Sequence, residues 1–245
     1  MRTLKLTLAY DGTRFVGWQR QAEGESIQGL LEDALAKFEG AAVTVHAAGR
    51  TDAGVHALGQ VASVRLTCTH DPATLARAIN VHLPPDIRVL SVAEAADDFH
   101  ARFSARSKTY RYQIRNAPLA MPFEHLYVWH LPERLSLEAM QRAAALLVGT
   151  HDFAAFRSVG GDVATTIRIV TRSEWRDEAG LLTYEISGDG FLRHMVRAIV
   201  GTIVEVGRGW RAPDEIAALL SGGTRGQAGA TAPPHGLFLV GVDYD

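Results

Sequence analysis

Ala48-Gly49-Arg50-Thr51-Asp52-Ala53-Gly54-Val55-His56-Ala57 gathers two glycines, an arginine, an aspartate and a histidine into one short run. It lies between Val43-Thr44-Val45, all β-branched, and Gln60 to Leu66, which alternates with the period of a half-buried strand. A loop held between two strands keeps a side chain fixed and still reachable. Gly49 and Gly54 bracket Asp52, so the backbone there can take positive φ or approach a ligand closely. Taken alone, the same residues describe a tight connection in which Asp52 caps a turn and Arg50 neutralises it. The rest of the chain has to decide between the two readings.

Upstream, Leu4, Leu6 and Leu8 alternate with Lys5 and Thr7, a strand pattern that ends in the Asp11-Gly12 turn. Ser26 reads as the N-cap of a helix whose apolar stripe is Ile27, Leu30, Leu31, Ala34, Leu35 and Phe38, with Gly40 closing it. Downstream, Asp71-Pro72 opens a helix through Ala78, Pro84-Pro85 stops it, and Ile87 to Ala93 reads as a strand. The order strand, helix, strand, strand, helix, strand predicts an α+β sheet with helices on one side.

The second half follows a similar plan. Ser107 to Ile114 is strand-like, with Tyr110 and Tyr112 on one face. A helix is expected over Ser136 to Val148, and Thr165 to Trp175 with Leu181 to Ser187 forms a hairpin around Asp177-Glu178-Ala179-Gly180. Phe191 to Val206 reads as a long helix, Pro213 to Leu220 as a short one, and Leu237 to Tyr244 as a final strand. Gly222 to Pro234, rich in Gly, Ala, Thr and Pro, reads as a flexible loop.

Composition narrows the chemistry. The 245 residues are 47% hydrophobic and 21% charged, enough for a sizeable core. Cys68 is the single cysteine, which excludes an intrachain disulfide and multi-cysteine zinc sites and fits a reducing compartment. The opening strand pattern is too short for a signal-peptide core, and no run approaches the ~18 apolar residues that span a bilayer. A soluble, cytoplasmic protein with no membrane partner is expected.

The formal net charge of −2 conceals an uneven distribution. Residues 1–98 hold nine Lys/Arg against twelve Asp/Glu, whereas residues 99–176 hold eleven against six. Phe99 to Arg115 carries Arg102, Arg106, Lys108, Arg111 and Arg115 with no acid, and its start, Phe99-His100-Ala101-Arg102-Phe103, alternates rings with a cation. A phosphate backbone responds to such a local field, and rings stack on unpaired bases. A solvated strand edge over two buried phenylalanines explains the same stretch equally well. The nucleotide P-loop, the G-x-S-x-G elbow, H-E-x-x-H and the RNP1 consensus are all absent.

Several ordered segments resemble one family. Gly49 to Ala57, followed by Gly59-Gln60-Val61-Ala62-Ser63-Val64, resembles the catalytic signature of the tRNA pseudouridine synthase A family. Tyr10 to Gln19 matches its opening Y-D-G-T-x-F-x-G-W-Q, and Lys108-Thr109-Tyr110-Arg111-Tyr112 its K-x-Y-R-Y strand. Gly188 to Arg197, continuing to Val206-Gly207-Arg208-Gly209, resembles the helix that closes the family's active site. Ala232 to Leu237 resembles the entry to the last strand, with Pro234 where the family often has Ala.

The resemblance implies the pseudouridine synthase fold: two similar α+β halves, residues 1–105 and 106–245, with mixed or antiparallel sheets joined across a central cleft. It implies isomerisation of uridine to pseudouridine at positions 38, 39 and 40 in the anticodon arm of tRNA, without metal or organic cofactor. The family breaks the C1′–N1 bond, turns the uracil and rejoins it through C5. By the same resemblance Asp52 is the nucleophile, and Arg197 pairs with it from the helix face it shares with Arg193 one turn earlier. Tyr110 stacks on the uracil and Leu237 packs on its other side. Arg50 fills the space of the flipped base or holds its phosphate. Phe99, His100, Ala101, Arg102 and Phe103, and the loop Arg157, Ser158, Val159, Gly160 and Gly161, fall where the family contacts tRNA. The family acts as a homodimer. Three alternatives stay open: a non-catalytic RNA-binding protein of the same fold, a synthase acting on another RNA, and a glycoside hydrolase. The last needs a second carboxylate partnered with Asp52, and no acid lies between Asp52 and Asp71.

Overall fold

A computed structural model of the chain describes residues 1–158 and 164–244. In chain order the elements are β1 (Arg2–Tyr10), α1 (Ile27–Glu39), β2 (His46–Ala47), β3 (His56–Leu66), α2 (Pro72–His82), β4 (Ile87–Ala95) and β5 (Ser107–Arg115). There follow β6 (Trp129–His130), α3 (Leu137–Ala145), β7 (Gly149–Asp152), β8 (Ile167–Glu178), β9 (Leu181–Gly188), α4 (Met195–Gly207), α5 (Glu215–Leu220) and β10 (Leu237–Asp243). The class is α+β. The chain divides into two compact units, Met1–Arg106 with the segment from Phe238 onward, and Ser107–Leu237. Chain order alone assigns the final strand to the second half. Its parallel pairing, Phe238 to His56 and Leu239 to Ala57, instead joins it to the first unit.

In the first unit the strands lie in the order β4-β1-β3-β10, with β1 antiparallel to both neighbours and β2 pairing with Ala62 and Ser63 of β3. Leu4, Leu6, Leu8 and Tyr10 of β1 are buried, as their alternation predicts. Ser26 Oγ accepts from Gly29 N–H at the start of α1, and Gly40, at φ 74°, ends it by donating to the Ala36 carbonyl. Asp71 caps α2 by accepting from Thr74 N–H, and that helix runs four residues past Ala78, to the edge of the double proline.

Two strand expectations change. Val43 to Val45 form no ladder, because Val45 donates its N–H to Glu32 Oε1 at 3.0 Å and accepts from Gln28 Nε2 at 3.1 Å. Side chains of α1 satisfy the backbone that a strand partner would otherwise hold. Gln60 to Leu66 is not half-buried either: all but Arg65 are buried, since β3 is interior to its sheet and covered on both faces.

In the second unit the order is β5-β9-β8-β7, all antiparallel, with β6 parallel to β5. The β8–β9 hairpin turns on Ala179-Gly180, both at positive φ, which matches the right-handed twist of the flanking strands. Helix α4 is buried along nearly its whole length and packs with α3. It begins at Met195, not Phe191, because His194 takes φ 61° and turns the chain into the helix. Arg193 is therefore an exposed residue ahead of the helix and shares no helix face with Arg197.

The stretch from Gly222 to Pro234 has little regular structure but is tied down. Arg225 donates to the Gly229 carbonyl at 2.8 Å and to Thr231 Oγ1 at 2.7 Å. Gly229 N–H donates to Thr202 Oγ1 at 2.9 Å, and Ala232 N–H to the Arg197 carbonyl at 3.0 Å. Composition suggests a free loop; the hydrogen bonds to α4 make it part of the helix's packing.

Candidate active site

The Asp52 loop is immobilised from several directions within the first unit. Ala48 N–H donates to the Val61 carbonyl at 2.7 Å, and Trp18 N–H donates to the Thr51 carbonyl at 3.0 Å. Val55 N–H closes the turn onto the Asp52 carbonyl at 3.1 Å, helped by Gly54 at φ 75°. Thr51 is buried beside a half-buried Asp52, whereas Arg50 and Ala53 are exposed. The carboxylate thus stands on an anchored backbone and keeps access to solvent. His56, one residue past Val55, is buried; its Nδ1 accepts from Gly12 N–H at 3.1 Å and its ring stacks on Phe238.

The Phe99–Phe103 segment in the same unit is a clamped turn. Ala101 N–H donates to Ser63 Oγ at 3.1 Å, and its carbonyl accepts from Tyr244 Oη at 2.7 Å. Ala101 is fully buried and forms a small core cluster with Ala48 and Val61, against which Phe99, Val242 and Tyr244 pack. Ala48 is the first residue of the Asp52 loop, so loop and turn grow from one patch of core. The turn's residues have divided roles. Phe99 leans on Tyr244 with Lys5 above both rings, whereas Arg102 and Phe103 point outward, Phe103 being 76% exposed.

His46 of β2, which no sequence motif marks, adds a ring to this surface. Its ring lies tilted against His100 at 4.9 Å, and His100 lies tilted against Phe103 at 4.4 Å, with the Arg102 guanidinium 5.5 Å from the Phe103 ring. Arg102 N–H donates to His100 Nδ1 at 3.1 Å, which leaves Nε2 as the protonated nitrogen. Burial, with the neighbouring His46 and Arg102 charges, holds His100 below the usual imidazole range. No local sequence signal pairs His46 with His100; only the β2–β3 register does.

The remaining predicted residues belong to the second unit. Tyr110 is buried on β5 with the edge of its ring against Phe191 at 5.1 Å. Arg197, in the first turn of α4, donates from Nε to the Ala232 carbonyl at 2.8 Å while Ala232 N–H donates back to the Arg197 carbonyl. Leu237 is buried where β10 begins, and just before it Tyr112 Oη donates to the Pro233 carbonyl at 2.9 Å. Burial raises the Tyr112 phenol far above its usual range, despite the opposing charge of Arg197. Arg157 and Ser158 follow a single 3-10 turn, and Ser158 is held at both ends: its N–H donates to the Arg193 carbonyl, and Oγ lies 2.7 Å from His194 Nδ1. Val159, Gly160 and Gly161 lie outside the described residues. Among the described residues no three His, Cys, Asp or Glu side chains gather to hold a metal ion, and no helix is long and apolar enough to cross a membrane.

A carboxylate on an anchored loop, next to a clamped turn that presents rings and a guanidinium, is the layout of a carboxylate-centred enzyme with a surface suited to nucleic acid. The comparisons with known proteins are more specific. The family model described as tRNA pseudouridine synthase matches residues 7–104 and 143–245. Proteins named tRNA pseudouridine synthase A match over 100% of this chain. That of Syntrophotalea carbinolica is 47% identical, with 97% of its own length covered, and that of Geobacter sulfurreducens is 46% identical, with 100% covered. That of Pelobacter propionicus is 45% identical, again with 100% covered. The chain belongs to the tRNA pseudouridine synthase family.

Proposed function

We propose that this chain converts uridine to pseudouridine in tRNA, with Asp52 as the nucleophile. Its family membership carries the reading, and the half-buried Asp52 on a loop fixed at Ala48, Thr51 and Val55 supports it. The C1′–N1 bond of the target uridine breaks, the uracil turns, and C1′ rejoins through C5. The C5 proton leaves and N1 gains one, so the reaction is an isomerisation with no net oxidation or hydrolysis. A carboxylate can attack the sugar or add to the uracil ring.

The finer assignments rest on the family resemblance. The targets are positions 38, 39 and 40 of the anticodon arm. Arg197 pairs with the nucleophile, Tyr110 stacks on the uracil, and Leu237 packs against it. Arg50 fills the space left by the flipped base or holds its phosphate, and the extrusion costs a few kcal/mol. Arg102 and Phe103, exposed on their clamped turn, suit contact with phosphate and base, while Ala101 serves that turn from the core. The working form is a homodimer in the cytoplasm.

The test is pseudouridine mapping on unmodified tRNA transcripts incubated with wild-type and Asp52→Asn protein, without added metal or cofactor. Modification at positions 38 to 40 by wild type alone is expected, with tRNA binding by the variant nearly intact. Modification elsewhere would move the substrate and keep the chemistry. Bound but unmodified tRNA with wild type would favour a non-catalytic RNA-binding protein.

A further inference from the structure

A buried polar network lies directly beneath the Asp52 loop. Tyr10, at the end of β1, places its Oη 2.8 Å from Thr51 Oγ1. Gln60 of β3 donates from Nε2 to the Gly49 carbonyl at 2.8 Å and to Tyr10 Oη at 3.3 Å, while its Oε1 accepts from Val61 N–H. Tyr10, Thr51 and Gln60 are all buried. The Gln60 amide spends both protons on Gly49 and Tyr10, and the Tyr10 and Thr51 hydroxyls share a hydrogen bond in which either can be the donor. Burial pushes the phenol up to about 12, so Tyr10 stays protonated throughout the neutral range.

The strand register sets this geometry. The β1–β3 register slips between Leu8 and Tyr10, so that Leu8 faces Gln60 and Tyr10 faces Ala57. One extra β3 residue in that interval brings Gln60 and Tyr10 into hydrogen-bonding reach below the loop. Thr51 is then held twice, by its hydroxyl and by its carbonyl, which Trp18 N–H engages.

We infer that Tyr10 is a positioning residue for the reaction: through Thr51 and Gln60 its hydroxyl fixes the backbone that carries the Asp52 carboxylate. The inference rests on Asp52 being the nucleophile. Tyr10 touches no substrate; its removal lets the reacting oxygen wander, and misplacement of about 1 Å costs about a hundredfold in rate.

The test compares wild type, Tyr10→Phe, Thr51→Val, Thr51→Ser and the Tyr10→Phe/Thr51→Val double variant. Single-turnover pseudouridine formation is measured alongside RNA Kd, and urea unfolding establishes that each variant is folded. Tyr10→Phe and Thr51→Val should each slow turnover roughly ten- to a hundredfold with Kd unchanged within about twofold. Thr51→Ser should keep most of the rate, and the double variant should be no slower than the worse single one, as two ends of one interaction behave. An unchanged rate in folded Tyr10→Phe would overturn the inference. So would parallel losses in rate and Kd, or a double variant whose defect is the product of the single defects. If Tyr10→Phe does not fold, the Thr51→Val and Thr51→Ser pair carries the comparison, and equal rates for those two would also overturn it. A wild-type chain that forms no pseudouridine would refute the functional reading itself, and the wild-type control reveals that outcome separately.

Discussion

Gly201→Ala tests the packing of α4 with a sign opposite to helix propensity. Gly201 lies within the helix, where alanine is ordinarily better than glycine by about 1 kcal/mol. A Cβ at this position would lie 1.7 Å from the Ala230 carbonyl oxygen and 2.9 Å from its carbon. Ordinary contact begins at 3.4 Å, so the passing segment must recede by about 1.7 Å. Three hydrogen bonds anchor that segment: Gly229 N–H to Thr202, Ala232 N–H to Arg197, and Arg197 Nε to the Ala232 carbonyl. Losing them costs roughly 3 kcal/mol at an ordinary net value each, and about 6 kcal/mol if the groups stay buried and unsatisfied. After the propensity gain the net loss is about 2–5 kcal/mol, or about 4–8 °C in Tm at the lower end. Urea unfolding of the full chain measures it, and an unchanged m value shows that the native surface is preserved. On the proposed pairing of Arg197 with Asp52, the loss of its anchor should also lower the rate of pseudouridine formation. A neutral or stabilised Gly201→Ala would refute the close approach, and with it the anchoring of Arg197 through Ala232.

Gly17→Ala should strain the Asp52 loop itself. Gly17 sits at φ 104°, and a Cβ there would lie 2.7 Å from the Thr51 carbonyl oxygen; a stability loss of about 1–3 kcal/mol and slower turnover are expected by urea unfolding and single-turnover assay. Glu185→Gln should flatten the acid side of the stability profile. Burial raises the Glu185 pKa, but bonds from Arg111 and the charges of Arg172 and Arg176 outweigh it, so the folded value is depressed. Its contribution is present above the unfolded value of about 4.3 and is lost as pH falls through the folded value. The wild-type advantage over Glu185→Gln should therefore shrink on acidification, and a constant difference would contradict the ion-pair account. Arg102→Ala should weaken RNA binding and reduce the slope of log K against log salt by about 0.7–0.9, and an unaltered slope would exclude a phosphate contact there.

Local pattern made the regular elements legible. Ser26 and Gly40 bound α1, Asp71 opens α2, and alternation in β1 and β5 assigns the buried faces, because capping and periodicity are properties of neighbouring residues. The departures occur where distant residues decide. Val45 forms no ladder because Glu32 and Gln28 reach it from a helix, and β10 joins the first unit by pairing with a strand far earlier in the chain. Composition also misjudged Gly222 to Pro234: small residues read as a free loop, yet their smallness lets the backbone press against α4. His194 marks the limit of periodicity at the site, since its left-handed backbone delays α4 past an apolar pattern that begins at Phe191.

The signature motifs have a physical reason that their sequence separation hides. Gly12 and Gly17 belong to the stretch Tyr10 to Gln19, about forty residues before Asp52, yet both lie against its loop. A Cβ on Gly12 would sit 2.0 Å from the Val55 carbonyl oxygen, and one on Gly17 would sit 2.7 Å from that of Thr51. These contacts flank Asp52 on its two sides, and between them Tyr10 reaches Thr51 and Trp18 holds the Thr51 carbonyl. The opening stretch and the Asp52 stretch are therefore one structure, backbone laid on backbone, in which any side chain at either glycine would push Asp52. Such a loop has little freedom to adapt, so the moving partner in the proposed reaction is the uridine that must leave its stack to meet a carboxylate already in place.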